Sequence, residues 1–231
     1  MEAFRNGGGV SYDQIGEEIP CAIERFFRRA VAELLASQWI PAVDGGGEAP
    51  KGARVADLGC GRGQSTVNMA KAFPESLFVG VDYHSDSIEA ARELAKREGV
   101  ENVAFVQGSA ETTPNGTPYD LVTTFDCIHD MTDPAATIRR IREVMAEDGV
   151  WLWSEPNASH EPNENRNPVG RVFQSVSPMH CMTVSLAHGG AGLGTVIGEK
   201  GARELAEQGG FGSFERLPID NPFNQFFAVR K

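Results

Sequence analysis

The sequence predicts an α/β fold built on a mostly parallel sheet with helices on both faces. Three observations carry that expectation. Short apolar runs recur at Arg54–Asp57, Leu77–Val81, Val103–Gln107, Leu121–Thr124 and Val150–Ser154. Stretches that suit helices separate them, at Ser65–Ala72, Ser85–Arg97 and Pro134–Met145. The first run leads directly into a glycine-rich turn, RVADLGCGRGQS. Strands alternating with helices require crossover connections, which make a sheet parallel and cover both its faces. In such sheets ligands collect outside the carboxyl ends of the strands.

The remaining elements follow in chain order. Residues 1–18 are polar, contain Gly7-Gly8-Gly9 and read as a loop. From Pro20 to Trp39, apolar residues at Ile23, Phe26, Phe27, Ala30, Val31, Leu34 and Leu35 repeat with the helical period, which predicts an amphipathic helix. Phe26 and Phe27 are adjacent and cannot both point at one core line. Pro41–Gly52, with Gly45-Gly46-Gly47, reads as a connector. Asp133-Pro134 reads as a helix cap followed by a first-turn proline. After Glu155 the alternation gives way to a long segment rich in Asn, Pro, His and Gly. Long irregular segments in a compact domain are usually functional, so 156–195 is expected to cover a binding site. Val169, Val172, Phe173, Met179 and Met182 in it suit an apolar pocket wall. A helix at Glu199–Glu207 and strands near Phe214–Leu217 and Phe226–Val229 close the chain. The expected organisation is an N-terminal extension with a helical lid over 1–50, then one domain over 51–231.

Composition bounds the function. At 231 residues and 41% hydrophobic content the chain can bury a substantial core. No apolar run reaches the length of a membrane span, and MEAFRNGGGV lacks the layout of a secretory signal. A net charge of −11 repels phosphate backbones and argues against direct nucleic-acid binding. The four cysteines (Cys21, Cys60, Cys127, Cys181) are scattered, as in a reduced, cytoplasmic protein. No metal is expected, because His180-Cys181 and His188 lack a ligand-spacing signature. Oligomeric state is open, with a homodimer among the candidates.

The turn itself carries chemistry. Its glycines are spaced G-x-G-x-G, and Asp57 stands two residues before the first. A dinucleotide would bring its pyrophosphate against that carboxylate. Like charges about 5 Å apart repel by roughly 3 kcal/mol at an effective dielectric near 20. A cationic ligand reverses the sign, and S-adenosylmethionine offers an amino group, a sulfonium centre and no phosphate. Alternatively the glycines serve only the backbone angles of a tight turn. Phe78-Val79-Gly80-Val81-Asp82 is a second strand ending in an acid, whose carboxylate can accept both ribose hydroxyls. Asp82 can equally be a turn residue, with Ser85 or Asp86 capping the next helix.

Together DLGCGRG, Asp82, GSAE at 108–111 and YDLVTTFD resemble the ordered motifs of class I S-adenosylmethionine-dependent methyltransferases. FDCIHDMTDP, NPVGRVFQSVSPMHCM, AHGGAGLGT and NPFNQFFAVRK are similar to a bacterial methyltransferase group that typically carries a winged-helix-like domain before the catalytic one; 1–50 is too short for that domain. The resemblance implies a Rossmann-like three-layer sandwich whose mostly parallel seven-stranded sheet has an antiparallel last strand. It implies that Asp57, Gly59, Cys60 and Gly61 hold the methionine portion and Asp82 the ribose. Tyr83 would lie against the adenine, with Ser109 and Ala110 at its edge, and Phe125 and Asp126 would approach the amino group. An aspartate is common in the family where Ser109 stands; Glu111 is an alternative partner.

Methyl transfer needs a base only when the acceptor loses a proton. His129, just past the fourth strand, titrates near neutrality and suits that role; packing at a strand end is the alternative. Glu155 ends the fifth strand at the same edge, to touch substrate or to bond loop amides. His160 and His180 read as loop histidines, and Tyr12 as a residue able to fold over the pocket. The expected function is methylation of a small-molecule acceptor. A non-catalytic sensor of the cofactor is the alternative, and the glycine spacing disfavours an NAD-dependent oxidoreductase.

Overall fold

The computed structural model describes residues 2–44 and 52–231; the Gly45-Gly46-Gly47 connector lies outside the described residues. Seven strands form one sheet in the order β3-β2-β1-β4-β5-β7-β6. β1 (Arg54–Leu58), β2 (Leu77–Asp82), β3 (Val103–Gln107), β4 (Tyr119–Phe125) and β5 (Met145–Pro156) are parallel. β7 (Asn224–Arg230), last in the chain, is antiparallel to both β5 and β6 (Ser213–Arg216). The chain runs outward from β1 to β3 and then returns to β4 beside β1, so the strand order reverses there and opens a crevice at the carboxyl edge.

Burial on both faces explains why the central strands read as apolar runs. On one face α7 (Pro134–Val144) and α10 (Gly198–Gln208) pack Ile138, Ile141, Ala202 and Ala206 against Trp151, Trp153 and Phe227. On the other, α3 (Glu18–Leu34) continues through a π-helical turn (Leu35–Trp39) into α4 (Ile40–Ala42). There Val31, Leu35 and Trp39 join Met69 of α5 (Gln64–Ala72) above Val55, Leu152 and Phe226. α6 (Ser85–Glu98) lays Ile88, Ala91 and Leu94 on Phe105. Phe27 packs at the core edge, whereas Phe26 is 58% exposed and meets Phe223 edge-on.

Two expectations change. Residues 1–18 are not a plain loop: α1 (Glu2–Asn6) and a single turn, α2 (Tyr12–Ile15), precede α3. Segment 156–195 likewise contains α8 (Pro168–Met179) and α9 (Cys181–Ala187). The start of α8 was legible, because Asn167 caps it by accepting from Gly170 N at 2.8 Å and Pro168 takes the first turn. Asp133 does the same for α7 as expected, accepting from Ala136 N at 2.8 Å. Neither Ser85 nor Asp86 caps α6; His84 is its N-cap residue. Of the proposed wall residues, Val172 and Met179 are 58% and 61% exposed, while Val169, Phe173 and Met182 are half-buried.

Candidate active site

β1 delivers the chain to the carboxyl edge, where Gly59 N and Cys60 N donate to Val81 O of β2 at 2.8 and 3.1 Å. The turn's glycines serve different ends. A Cβ on Gly59 would stand 2.7 Å from Cys127 Sγ, so this glycine makes room for Cys127. A Cβ on Gly61 (φ +52°) would meet nothing within 4 Å, which leaves an open cradle above its backbone. The Cys60 side chain is buried with Val67, Ala91 and Phe105, so only its backbone belongs to the cradle.

Asp57 lies beneath the turn. Its carboxylate is 1% exposed and accepts three hydroxyls: Ser65 Oγ and Thr66 Oγ1, both at 2.6 Å, and Thr123 Oγ1 at 2.8 Å. Burial raises its pKa and the hydroxyls oppose the rise. Asp57 thus ties the start of α5 and strand β4 to the turn from beneath, and its charge does not face the cradle.

Asp82 at the tip of β2 accepts from Gly61 N and from His84 N, both at 2.9 Å, one on each oxygen. It is therefore a turn residue, and each oxygen keeps a lone pair for a further donor. Burial raises its carboxyl against those backbone donors. Tyr83 beside it is 45% exposed. Ser109 is exposed and opens the short 3₁₀ turn Ala110–Thr112. Glu111 turns away, accepting from Thr137 Oγ1 at 3.4 Å.

At the end of β4, Phe125 leans toward Trp39, and Asp126 holds φ +52°, the one non-glycine positive φ among the described residues. Such strain collects at functional sites. Asn224 Nδ2 donates to both Asp126 oxygens at 2.7 Å. Burial, then the Glu155 charge, pushes the Asp126 carboxyl up to about 6. Asn224 escaped the sequence reading; its one signal was its place in the NPFNQ segment.

His129 and Glu155, 2% and 0% exposed, meet at 2.6 Å between Nδ1 and Oε2. Trp153 Nε1 donates to the other Glu155 oxygen at 2.8 Å. Trp153 in turn stacks on Trp151 with ring centroids 4.4 Å apart. The Cys181 thiol and the Asp130 carboxylate also converge on His129, one donor atom from each of the three lying within 4.8 Å of the others. Burial lowers the His129 pKa, but Glu155 and Cys181 raise it further, so it ends well above the ordinary value. Burial carries Asp130 up to about 7; His129 opposes the rise, while Glu155, Asp82 and Asp126 add to it. His160 lies beside Glu161 at the surface. Separately, Asn157, His160, Lys200, Arg203, Arg216 and Gln225 help line an open cleft of about 680 Å³ that none of the expected catalytic or cofactor residues touches.

The strand order and the acid at the tip of β2 define a Rossmann-like methyltransferase of class I. Residues 49–211 match the methyltransferase domain family, and the chain belongs to it. The uncharacterized methyltransferase YcgJ of Bacillus subtilis (strain 168) is 32% identical over 137 residues, which is 58% of this chain and 52% of that protein. The structure of the mitomycin 7-O-methyltransferase MmcR covers 99% of this chain and 62% of its own, with TM-score 0.71 and 21% identity. A structure of PigF with SAH covers 100% of this chain and 65% of its own, with TM-score 0.69 and 18% identity. At these identities the structures show a shared fold. The sequence match spans about half the length of YcgJ, and the structural matches span under two thirds of the MmcR and PigF chains.

S-adenosylmethionine is the cofactor of this fold, and the residues present fit it. The open cradle at Gly61 and the spare lone pairs of Asp82 suit a nucleoside. The crowded acids Asp82, Asp126, Asp130 and Glu155 suit a cation. Among the described residues no helix is long and apolar enough to cross a membrane.

Proposed function

We propose that this chain transfers a methyl group from S-adenosylmethionine to a small-molecule acceptor whose oxygen or nitrogen gives up a proton to His129. The observation that carries this reading is the buried His129–Glu155 pair at the same sheet edge as the Gly61 cradle. Asp82 and Tyr83 would hold the nucleoside, with Ser109 and Ala110 at its far edge; Phe125 and Asp126 would border the methionine end. The bound cofactor supplies an activated methyl group on a sulfonium.

Glu155 faces Nδ1, so the proton on that nitrogen is held in place, and the other ring nitrogen would take the acceptor's proton in exchange for its contact with the Cys181 thiol. As His129 takes up that proton, Glu155 stabilises the imidazolium, and Trp153 keeps the carboxylate from rotating. Alignment of acceptor and methyl group supplies the larger share, about 7–11 kcal/mol of the barrier. A small molecule fits better than nucleic acid because of the net charge of −11, and the name of mitomycin 7-O-methyltransferase points the same way. All four cysteines are free, which suits the reducing cytoplasm.

The test is calorimetric binding of S-adenosylhomocysteine against NAD, followed by turnover on a panel of small phenols, alcohols and amines. Tight binding of the first ligand with turnover that disappears in His129→Ala supports the proposal. Absence of S-adenosylhomocysteine binding overturns it. Binding without turnover on any acceptor favours the sensor alternative.

A further inference from the structure

The N-terminal segment lies across the site. Val10 N donates to Thr183 O of α9 at 3.0 Å. Gly9 packs so closely on α9 that a Cβ there would stand 2.1 Å from Thr183 O and 2.4 Å from Ala187 N. Beyond this anchor, Tyr12 points inward. Its ring meets Tyr83 at 6.3 Å and His84 at 5.1 Å edge-on, and His180 at 5.7 Å. Tyr83 and His84 follow Asp82 on the nucleoside side. His180 precedes Cys181, which faces His129 on the base side, and the buried His180 Nδ1 has no hydrogen-bond partner. Asp13 adds a contact to His84 Nε2 at 3.5 Å.

We propose that residues 7–16 form a glycine-hinged strap that admits S-adenosylmethionine and closes over it, and that Tyr12 is the residue it delivers to the boundary between the nucleoside and the base. This inference rests on the methyl-donor reading above. The geometry gives the strap the means to move. Gly7, Gly8, Gly9 and Gly16, at φ +76°, +88°, +63° and +79°, bracket α2, and each holds a backbone conformation that side chains resist. The strap buries no residue of α2 fully, so little apolar surface is lost when it lifts. Burial, then the charges of Asp130 and Asp82, raises the Tyr12 hydroxyl well above its ordinary value. The boundary it occupies is where the sulfonium must sit if Asp82 takes the ribose and His129 the acceptor's proton. A tyrosine ring there excludes water and presents its electron-rich face or hydroxyl to a cation.

The test uses the full chain and three variants, with S-adenosylhomocysteine affinity by calorimetry and hydrogen exchange of segment 7–16 as readouts. Tyr12→Ala is expected to weaken binding roughly tenfold, the equivalent of about 1.4 kcal/mol, while Tyr12→Phe, which keeps the ring, stays within about threefold of wild type. Gly9→Ala keeps Tyr12 but prevents the close approach to α9, so it should weaken binding like Tyr12→Ala. In wild type the ligand should slow exchange across 7–16, and in Gly9→Ala it should not. Unaltered thermal melting shows that each variant folds. The proposal is overturned if wild type binds S-adenosylhomocysteine while Tyr12→Ala and Gly9→Ala bind it equally well and exchange in 7–16 ignores the ligand. Failure of wild type itself to bind would instead sink the methyl-donor reading, so the two failures are distinct.

Discussion

Two regions of one sheet edge are built in opposite ways. Around β1 and β2 the acids are satisfied by hydroxyls and backbone amides: Asp57 by Ser65, Thr66 and Thr123, and Asp82 by Gly61 N and His84 N. Around β4 and β5 buried side chains from different strands meet one another: His129 meets Glu155, and Asp126 meets Asn224. The first region is a fixed cradle whose carboxylates hold the backbone. In the second, proton affinities are displaced, with Asp126 at about 6 and Asp130 at about 7. On the proposed reading binding and chemistry fall to different strands, so that each should break without the other.

The largest expected effect is on the β4–β5 side. Once an acceptor is known, His129→Ala should lower turnover about 10²–10⁴-fold, the span of a lost general base, while S-adenosylhomocysteine affinity stays unchanged. His129 must be neutral to accept a proton, and Glu155 holds its pKa above the ordinary 6.5. Wild-type rate should therefore rise with pH through a limb above 6.5 that the variant lacks. A matching loss of cofactor affinity would erase the division between the regions.

Next comes Asp57→Ala. It leaves three buried hydroxyls without their acceptor and should cost about 3 kcal/mol of folding stability in a denaturant titration. A variant of unchanged stability but weakened cofactor binding would return Asp57 to a ligand-facing role. Asp82→Ala should act the other way. A loss of about 1.5–3 kcal/mol in S-adenosylhomocysteine binding is expected from charge-assisted hydrogen bonds. Unchanged affinity in a folded Asp82→Ala protein would remove Asp82 from the site.

The remaining effect is a pH slope. Asp130 has a folded-state pKa of about 7 against an ordinary value of 3.8, so the folded state binds the extra proton between those limits. Its contribution to stability is fully present below about 3.8 and is lost as pH rises to about 7. Asp130→Asn should remove that slope, and its melting temperature should gain on wild type from pH 4 to 7 and then hold level. Parallel melting curves across that range would show that Asp130 is not held protonated.

What was legible divides along the same line. The β1–β2 cradle lies in one continuous stretch, and glycine spacing followed by a strand-ending acid reports a turn geometry that local chemistry imposes. Even there the function of single groups was hidden. The partners of Asp57 could not be read, because no one-dimensional pattern shows that Thr123, far along the chain, donates to it from β4. His129 and Glu155 were each singled out by position at a strand end, but their pairing depends on the register of β4 and β5. Asn224 depends on β7 running antiparallel beside β5. The helices of 156–195 were missed for another reason: their Asn, Pro and Gly content reads as loop until the Asn167-Pro168 start is taken as a cap.

The tryptophan pair beneath Glu155 has an optical consequence. Trp151 and Trp153 stack at 10° between ring planes, and Trp153 Nε1 bonds the carboxylate that faces His129. Two indoles so close and parallel couple their near-ultraviolet transitions. The field at Trp153 changes whenever a proton arrives at or leaves the His129–Glu155 pair. The third tryptophan, Trp39, lies on the opposite face of the sheet. The absorption and emission of the unlabelled protein therefore contain a native probe of the charge state of the His129–Glu155 pair.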